Sequence, residues 1–214
     1  MMDGFVDLGL VEGINQYLEI ALIEEDNDLK ADQFKEIFQL LSIITCIDQE
    51  IVEKLIGKDE ESILSKIFNI CRDIQQYQFN DIQLHALLSI LYNLSTVDKE
   101  TALLHLMKLG LIEACYHILL HYIDNENYLI EILQILENIV NTTHRKEINQ
   151  EFYEEMKWKF IEGVCGKLGI DILRDVLEGH KGNFDIEVIG HKLMEIILGQ
   201  DQNDDQLKEV QIKI

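Results

Sequence analysis

The sequence predicts an all-α protein built from a repeated helical unit. Three observations carry this. Apolar residues recur at three- and four-residue spacing almost throughout, as in Ile82, Leu84, Leu87, Leu88, Leu91 and Leu94, the period of a helix with one buried stripe. No segment alternates strictly enough to read as a strand. Proline is absent from all 214 residues, so nothing breaks a helix from within and turns rely on Gly, Asn and Asp.

Four stretches align without gaps: FQLLSIITC at 38–46, LSILYNLST at 88–96, LQILENIVN at 133–141 and HKLMEIILG at 191–199. Their starts differ by 50, 45 and 58 residues, which fits the roughly 40–47 residues of armadillo and HEAT units with short insertions. The expected fold is an armadillo-type right-handed α-solenoid of about four repeats, in which each unit is a short, a middle and a longer third helix. One such unit cannot bury its own apolar face, whereas stacked units share a continuous core lined by the third helices.

Taken in order, unit one covers about residues 1–46. GLVEGINQYL at 9–18 matches GLIEACYHIL at 110–119, and Gly9 and Gly110 are expected at sharp turns from a first into a middle helix, where a Cβ is not tolerated. IEEDNDLKAD reads as the acidic loop before the third helix. Unit two, about 47–96, has the corresponding loop at DIQQYQFND. Unit three, about 97–141, reads as helices Lys99–Leu109, Ile112–Tyr122 and Glu126–Val140, with the loop YIDNEN before the last. Unit four, about 142–199, begins with 142–160, read as an inserted helix. Helices Leu168–Glu178 and Phe184–Leu198 follow, joined by the polar break Gly179–Asn183. Residues 1–200 form one repeat domain, and 200–214 an acidic, frayed tail.

Forty acids against 18 bases give a net charge of −22. Such a surface repels nucleic acid and anionic lipid and attracts basic proteins or peptides. No apolar run reaches 18 residues, so no spanning helix is expected, and MMDGFVDLGL has no basic region of the kind that opens a signal peptide. Cys46, Cys71, Cys115 and Cys165 lie among apolar residues without CxxC spacing, which reads as reduced, buried thiols. His117 and His121, four apart on a helix, lack a third ligand for a metal. Gly163, Gly166 and Gly169 form GxxGxxG without a preceding strand, which is not a nucleotide loop. No nucleophile–base pair can be placed, so neither enzyme activity nor a cofactor is expected.

LENIV at 136–140, followed by Gly169, Asp171, Leu177, His180, Asn183, Val188, Lys192, Ile196, Ile197 and Gly199, resembles the last two armadillo repeats of importin-α. IFQLLSIIT and ILYNLST are similar to the third helices of that family's seventh and eighth repeats. The resemblance implies a nuclear-import adaptor that binds basic localisation signals, is recycled by a CAS-type exportin gripping its C-terminal repeats, and occupies cytoplasm and nucleus. No basic run precedes Phe5, so the family's importin-β-docking arm is not expected.

The family holds a basic peptide with Trp-x-x-x-Asn pairs on its third helices. The asparagine amide ties the peptide backbone, and the tryptophan, one turn earlier on the same face, packs on a lysine stem. Here Asn93 and Asn138 occupy the asparagine positions, while the tryptophan positions hold Ser89 and Gln134. In the first unit the pair is Gln39 and Ile43, and in the last Lys192 and Ile196. The residues expected to bind a partner are therefore Asn93, Asn138, Ser89, Gln134 and Glu131, with His180 and Lys192 at the exportin-facing end, the surface favoured over the half-lost ladder. The alternative is a divergent armadillo scaffold that binds a basic partner without transport. An open apolar face on the first unit would favour dimerisation there.

Overall fold

The computed structural model describes residues 9–47, 52, 54–55, 62–97, 100–144 and 150–198. Expectations for the first helix of unit two, for Gly199 and for the tail 200–214 lie outside them. Among the described residues there are ten α-helices and no strand: α1 (Leu10–Ile23), α2 (Asn27–Ile47), α3 (Ile63–Arg72), α4 (Asp81–Ser95), α5 (Glu100–Leu109), α6 (Leu111–His121), α7 (Glu126–His144), α8 (Gln150–Glu162), α9 (Gly169–Gly179) and α10 (Phe184–Leu198). The fold is all-α, as the periodicity predicts. No single described helix is long and apolar enough to cross a membrane.

Two rows of contacts organise the helices. Along one, α2 packs on α4, α4 on α7 and α7 on α10; along the other, α1 packs on α3, α3 on α6 and α6 on α9. The rows meet through α1–α2, α6–α7 and α9–α10. The buried residues form one cluster running from Ile14 to Ile197. At its densest aromatic point, Phe34 stacks on Phe38 at 5.5 Å and both meet the Phe79 ring edge-on.

Gly110 turns α5 into α6 with φ 107, a left-handed conformation that disfavours any Cβ. Arg72 closes the same corner by donating from Nη2 to the Leu109 carbonyl at 2.8 Å. Gly9 has φ 70 before α1, the left-handed conformation expected of it, while the helix expected ahead of it lies outside the described residues.

The structure differs from the sequence reading in three places. IEEDNDLKAD is not a loop throughout, because α2 already begins at Asn27. The Asp26 carboxylate accepts from the backbone N–H groups of Asp28 and Leu29 at 3.0 and 3.1 Å, which caps the helix four residues after α1 ends. In the stretch read as an inserted helix, α7 runs on to His144, past the expected end at Val140, and α8 packs on α5, α6 and α9. Of the cysteines, only Cys71 and Cys115 are buried, while Cys46 and Cys165 are exposed.

Candidate functional site

Side-chain bonds between neighbouring helices of a row decide which residues face outward. Asn93 Nδ2 donates to the Ser42 carbonyl at 2.9 Å and to Thr45 Oγ1 at 3.1 Å. Asn138 Nδ2 donates to Ser95 Oγ at 3.3 Å. In the internal alignment Thr45 and Ser95 occupy one position and Asn93 and Asn138 another, so the same amide–hydroxyl rung ties α2 to α4 and α4 to α7. At the third equivalent step the sequence places Val140 and Ile196, an apolar pair in register with the two polar ones. Both asparagines are half-buried, and each holds its helix to the one before it.

His180 and Lys192 are likewise tied within the chain. His180 Nε2 donates to the Ile123 carbonyl at 2.6 Å, and its Nδ1 lies 3.5 Å from Glu126 Oε1. Lys192 pairs with Glu137, and Asn183 Nδ2 donates to Glu126 Oε2 at 2.9 Å. These bonds hold the α9–α10 turn and α10 onto α7.

Ser89, Gln134 and Glu131 are brought together. They line a cavity of about 200 Å³ between α4 and α7, with Leu88, Tyr92 and Ile135. Ser89 Oγ donates to the His85 carbonyl of its own helix at 2.8 Å, while Tyr92 is 46% exposed. A second cavity of about 430 Å³ lies between the first turns of the same two helices, lined by Asp81, His85, Asn125, Asn127, Tyr128, Ile130 and Glu131. Glu131 lines both, so the two cavities adjoin along the α4–α7 seam, which is called the trench below. Asp81, His85, Ser89 and Tyr92 form the α4 wall, recurring at three- and four-residue steps along one face. Asn127, Glu131 and Gln134 form the α7 wall.

Tyr128 is 6% exposed and donates from Oη to Asp81 Oδ1 at 2.7 Å. Burial first, and then the Asp81 carboxylate, push its phenol up to about 12, so it stays a neutral donor at physiological pH. His85 Nδ1 faces Glu131 Oε1 across the trench at 3.2 Å, and its ring meets Tyr128 edge-on at 5.4 Å. The sequence reading misses Asp81, His85, Tyr92 and Tyr128. The polar Asp81–His85–Ser89 series on one face of α4 is the signal that could have found them.

His117 lies on α6. Burial, and then Arg72, lower its pKa, and its Nδ1 lies 3.9 Å from Cys165 Sγ. No group of three or more metal-binding side chains occurs among the described residues. Neither the family models nor the curated proteins with which the sequence was compared gave a match.

Proposed function

We propose that the chain is a short α-solenoid of four helical triplets, resembling the C-terminal armadillo repeats of importin-α, and that it acts by binding alone. Its ligand is a basic protein segment lying along the α4–α7 face. The observation that carries this is the trench itself: Ser89, Gln134 and Glu131 converge there, with Asp81 and two tyrosines, on a chain of net charge −22. Acidic, aromatic-lined grooves favour lysine and arginine side chains through charge and through the ring faces. The row contacts support translational stacking, since each long helix meets the long helix one unit on.

The transport reading and the scaffold reading differ at the C-terminal end. Because His180 and Lys192 are engaged with Ile123, Glu126 and Glu137, the scaffold reading gains weight. A pull-down with a CAS-type exportin and a Ran-type GTPase separates the two. A complex favours transport, and none at low salt favours the scaffold.

For the groove itself, a fluorescein-labelled Lys/Arg-rich peptide is expected to bind with an affinity that falls as salt rises. Gln134→Trp, which places an indole on the exposed face one turn before Asn138, is expected to tighten binding about threefold or more. Absence of salt-sensitive binding in both the native chain and the Gln134→Trp variant rules out the groove as a basic-peptide site.

A further inference from the structure

We propose that the outer face of the α1–α2 pair is a self-association surface, on which a second copy of the chain packs head to head. This rests on the reading of the long helices as a stacked row, and it concerns the end of that row rather than its groove.

Among the described residues, α2 begins the row that continues through α4, α7 and α10. Ile20, Leu29, Leu40 and Ile43 are between 40 and 57% exposed. Leu40 and Ile43 follow Leu29 by 11 and 14 residues, close to three and four helical turns, so these three form a stripe along α2. The direction of the stripe follows from the next helix of the row. In the internal alignment, Leu29, Leu40 and Ile43 correspond to Phe79, Ile90 and Asn93. Phe79 reaches back to the Phe34 and Phe38 rings of α2, Asn93 reaches back to Ser42 and Thr45, and Ile90 is buried. These are positions by which one long helix meets the one before it. On α2 the same positions are apolar and exposed.

The outer side of α1 adjoins this stripe. Asn15 and Glu19 bond to Lys66 of α3. Tyr17, on the far side of α1 from both, donates to Glu36 of α2 at 2.9 Å. Ile20 follows Tyr17 by one turn. Glu36 interrupts the apolar stripe, and its carboxylate is already met by the Tyr17 hydroxyl.

The area of the face and the make-up of the two ends point to a second copy. With 21 residues, α2 runs about 31 Å, and two adjacent helices span about 20 Å. The face then offers about 600 Å² per copy, or about 1,200 Å² for a pair, the lower end of stable specific interfaces. The other end of the row does not match it. On α10, His191 and Glu195 stand where α7 has the buried Leu133 and Glu137, and Arg174 and Glu178 are exposed on α9. Phe184 and Val188 keep the start of α10 apolar, but head-to-tail stacking would press the α2 stripe onto the charged middle of that face. Head-to-head packing sets stripe on stripe about a two-fold axis and closes at two copies. With the two α2 helices antiparallel, the acidic Glu24–Asp26 turns lie at opposite ends.

Each copy carries a net charge of −22. Long-range repulsion therefore opposes the pair, and salt that screens it strengthens association. Basic-peptide binding weakens under the same change, so the two surfaces respond to salt with opposite sign.

Sedimentation equilibrium of the full chain at low and high NaCl tests this. A monomer–dimer equilibrium with a dissociation constant on the order of micromolar is expected, tighter at the higher salt. Leu29→Gln combined with Leu40→Gln is expected to weaken the dimer about tenfold or more, while Phe184→Gln combined with Val188→Gln leaves it unchanged. All four side chains are exposed, so both variants are expected to keep the native urea midpoint at concentrations where the chain is monomeric.

A strict monomer at about 100 times the expected dissociation constant, a mass that climbs past the dimer, or a dimer untouched by the Leu29 and Leu40 changes would overturn the proposal. The stacked row is checked separately, by the α2-to-α10 distance within one chain below the dimerisation range. A monomer with that distance intact removes only the self-association surface.

Discussion

Gly169→Ala is expected to cost the folded state about 3 kcal/mol, at the upper end of what overpacking does to a core. Gly169 opens α9 where it crosses α6 and α8. A methyl group there would fall well inside van der Waals contact with the Phe160 carbonyl and 2.6 Å from Tyr116 Oη. Neither neighbour can give way. Tyr116 is fully buried, and its hydroxyl donates to that same Phe160 carbonyl at 3.0 Å. Relieving the clash means moving α9 off α8 or breaking a buried hydrogen bond. At the other end of the helix, a methyl group on Gly179 would meet nothing within 4 Å. Gly179→Ala is therefore expected to be neutral or to stabilise by up to about 1 kcal/mol, through the unfolded chain. Urea denaturation of both variants checks the contrast, and equal midpoints would contradict the packing described at the α6–α8–α9 junction.

Asn93→Ile is expected to destabilise by about 1–2 kcal/mol, because it removes both bonds to α2 and strips Thr45 Oγ1 of its donor. The chain itself supplies the compensating change. Where the rung recurs between α7 and α10, the sequence has Val140 and Ile196 in place of a hydroxyl and an amide. Adding Thr45→Val to Asn93→Ile should recover at least half of the loss, since the buried hydroxyl that would be left without its amide donor is removed with it. A double variant as unstable as the sum of the single ones would show that the rung is not a unit. A variant whose stability is unchanged while peptide binding is lost would return Asn93 to a ligand-facing role.

The parts of the fold legible in the sequence are those set by the helical period and by backbone geometry. Phe184–Leu198 has the bounds that its apolar spacing and the Gly179–Asn183 break indicate. Gly110 sits in the left-handed conformation that its place before an apolar run implies. The start of α2 is not legible, because Asn27–Asp32 is polar enough to read as a loop. Its helicity depends on the Asp26 cap and on the packing of α2 against α4.

The candidate site is legible only in part, for a related reason. Pattern places Ser89, Gln134 and Glu131 on one exposed face, and they do share a trench. Pattern cannot say how far one long helix is rotated against the next. That rotation turns the Asn93 and Asn138 amides back onto Thr45 and Ser95 and seats His180 on the Ile123 carbonyl. It also brings Tyr128 over Asp81. From sequence, Tyr128 is one more apolar-face residue at the start of a helix. Only the position of the neighbouring helix makes its hydroxyl part of a polar pocket.

Everything proposed for this chain requires the long helices to succeed one another by translation. Pulsed electron resonance on a chain spin-labelled at Gln39 of α2 and Lys192 of α10, with the exposed Cys46 and Cys165 replaced by serine, measures this directly. Three successive helix-to-helix steps of about 10 Å each predict a label separation near 30 Å. A separation of about 10–15 Å would place α2 beside α10, as in a closed bundle, and would contradict the account.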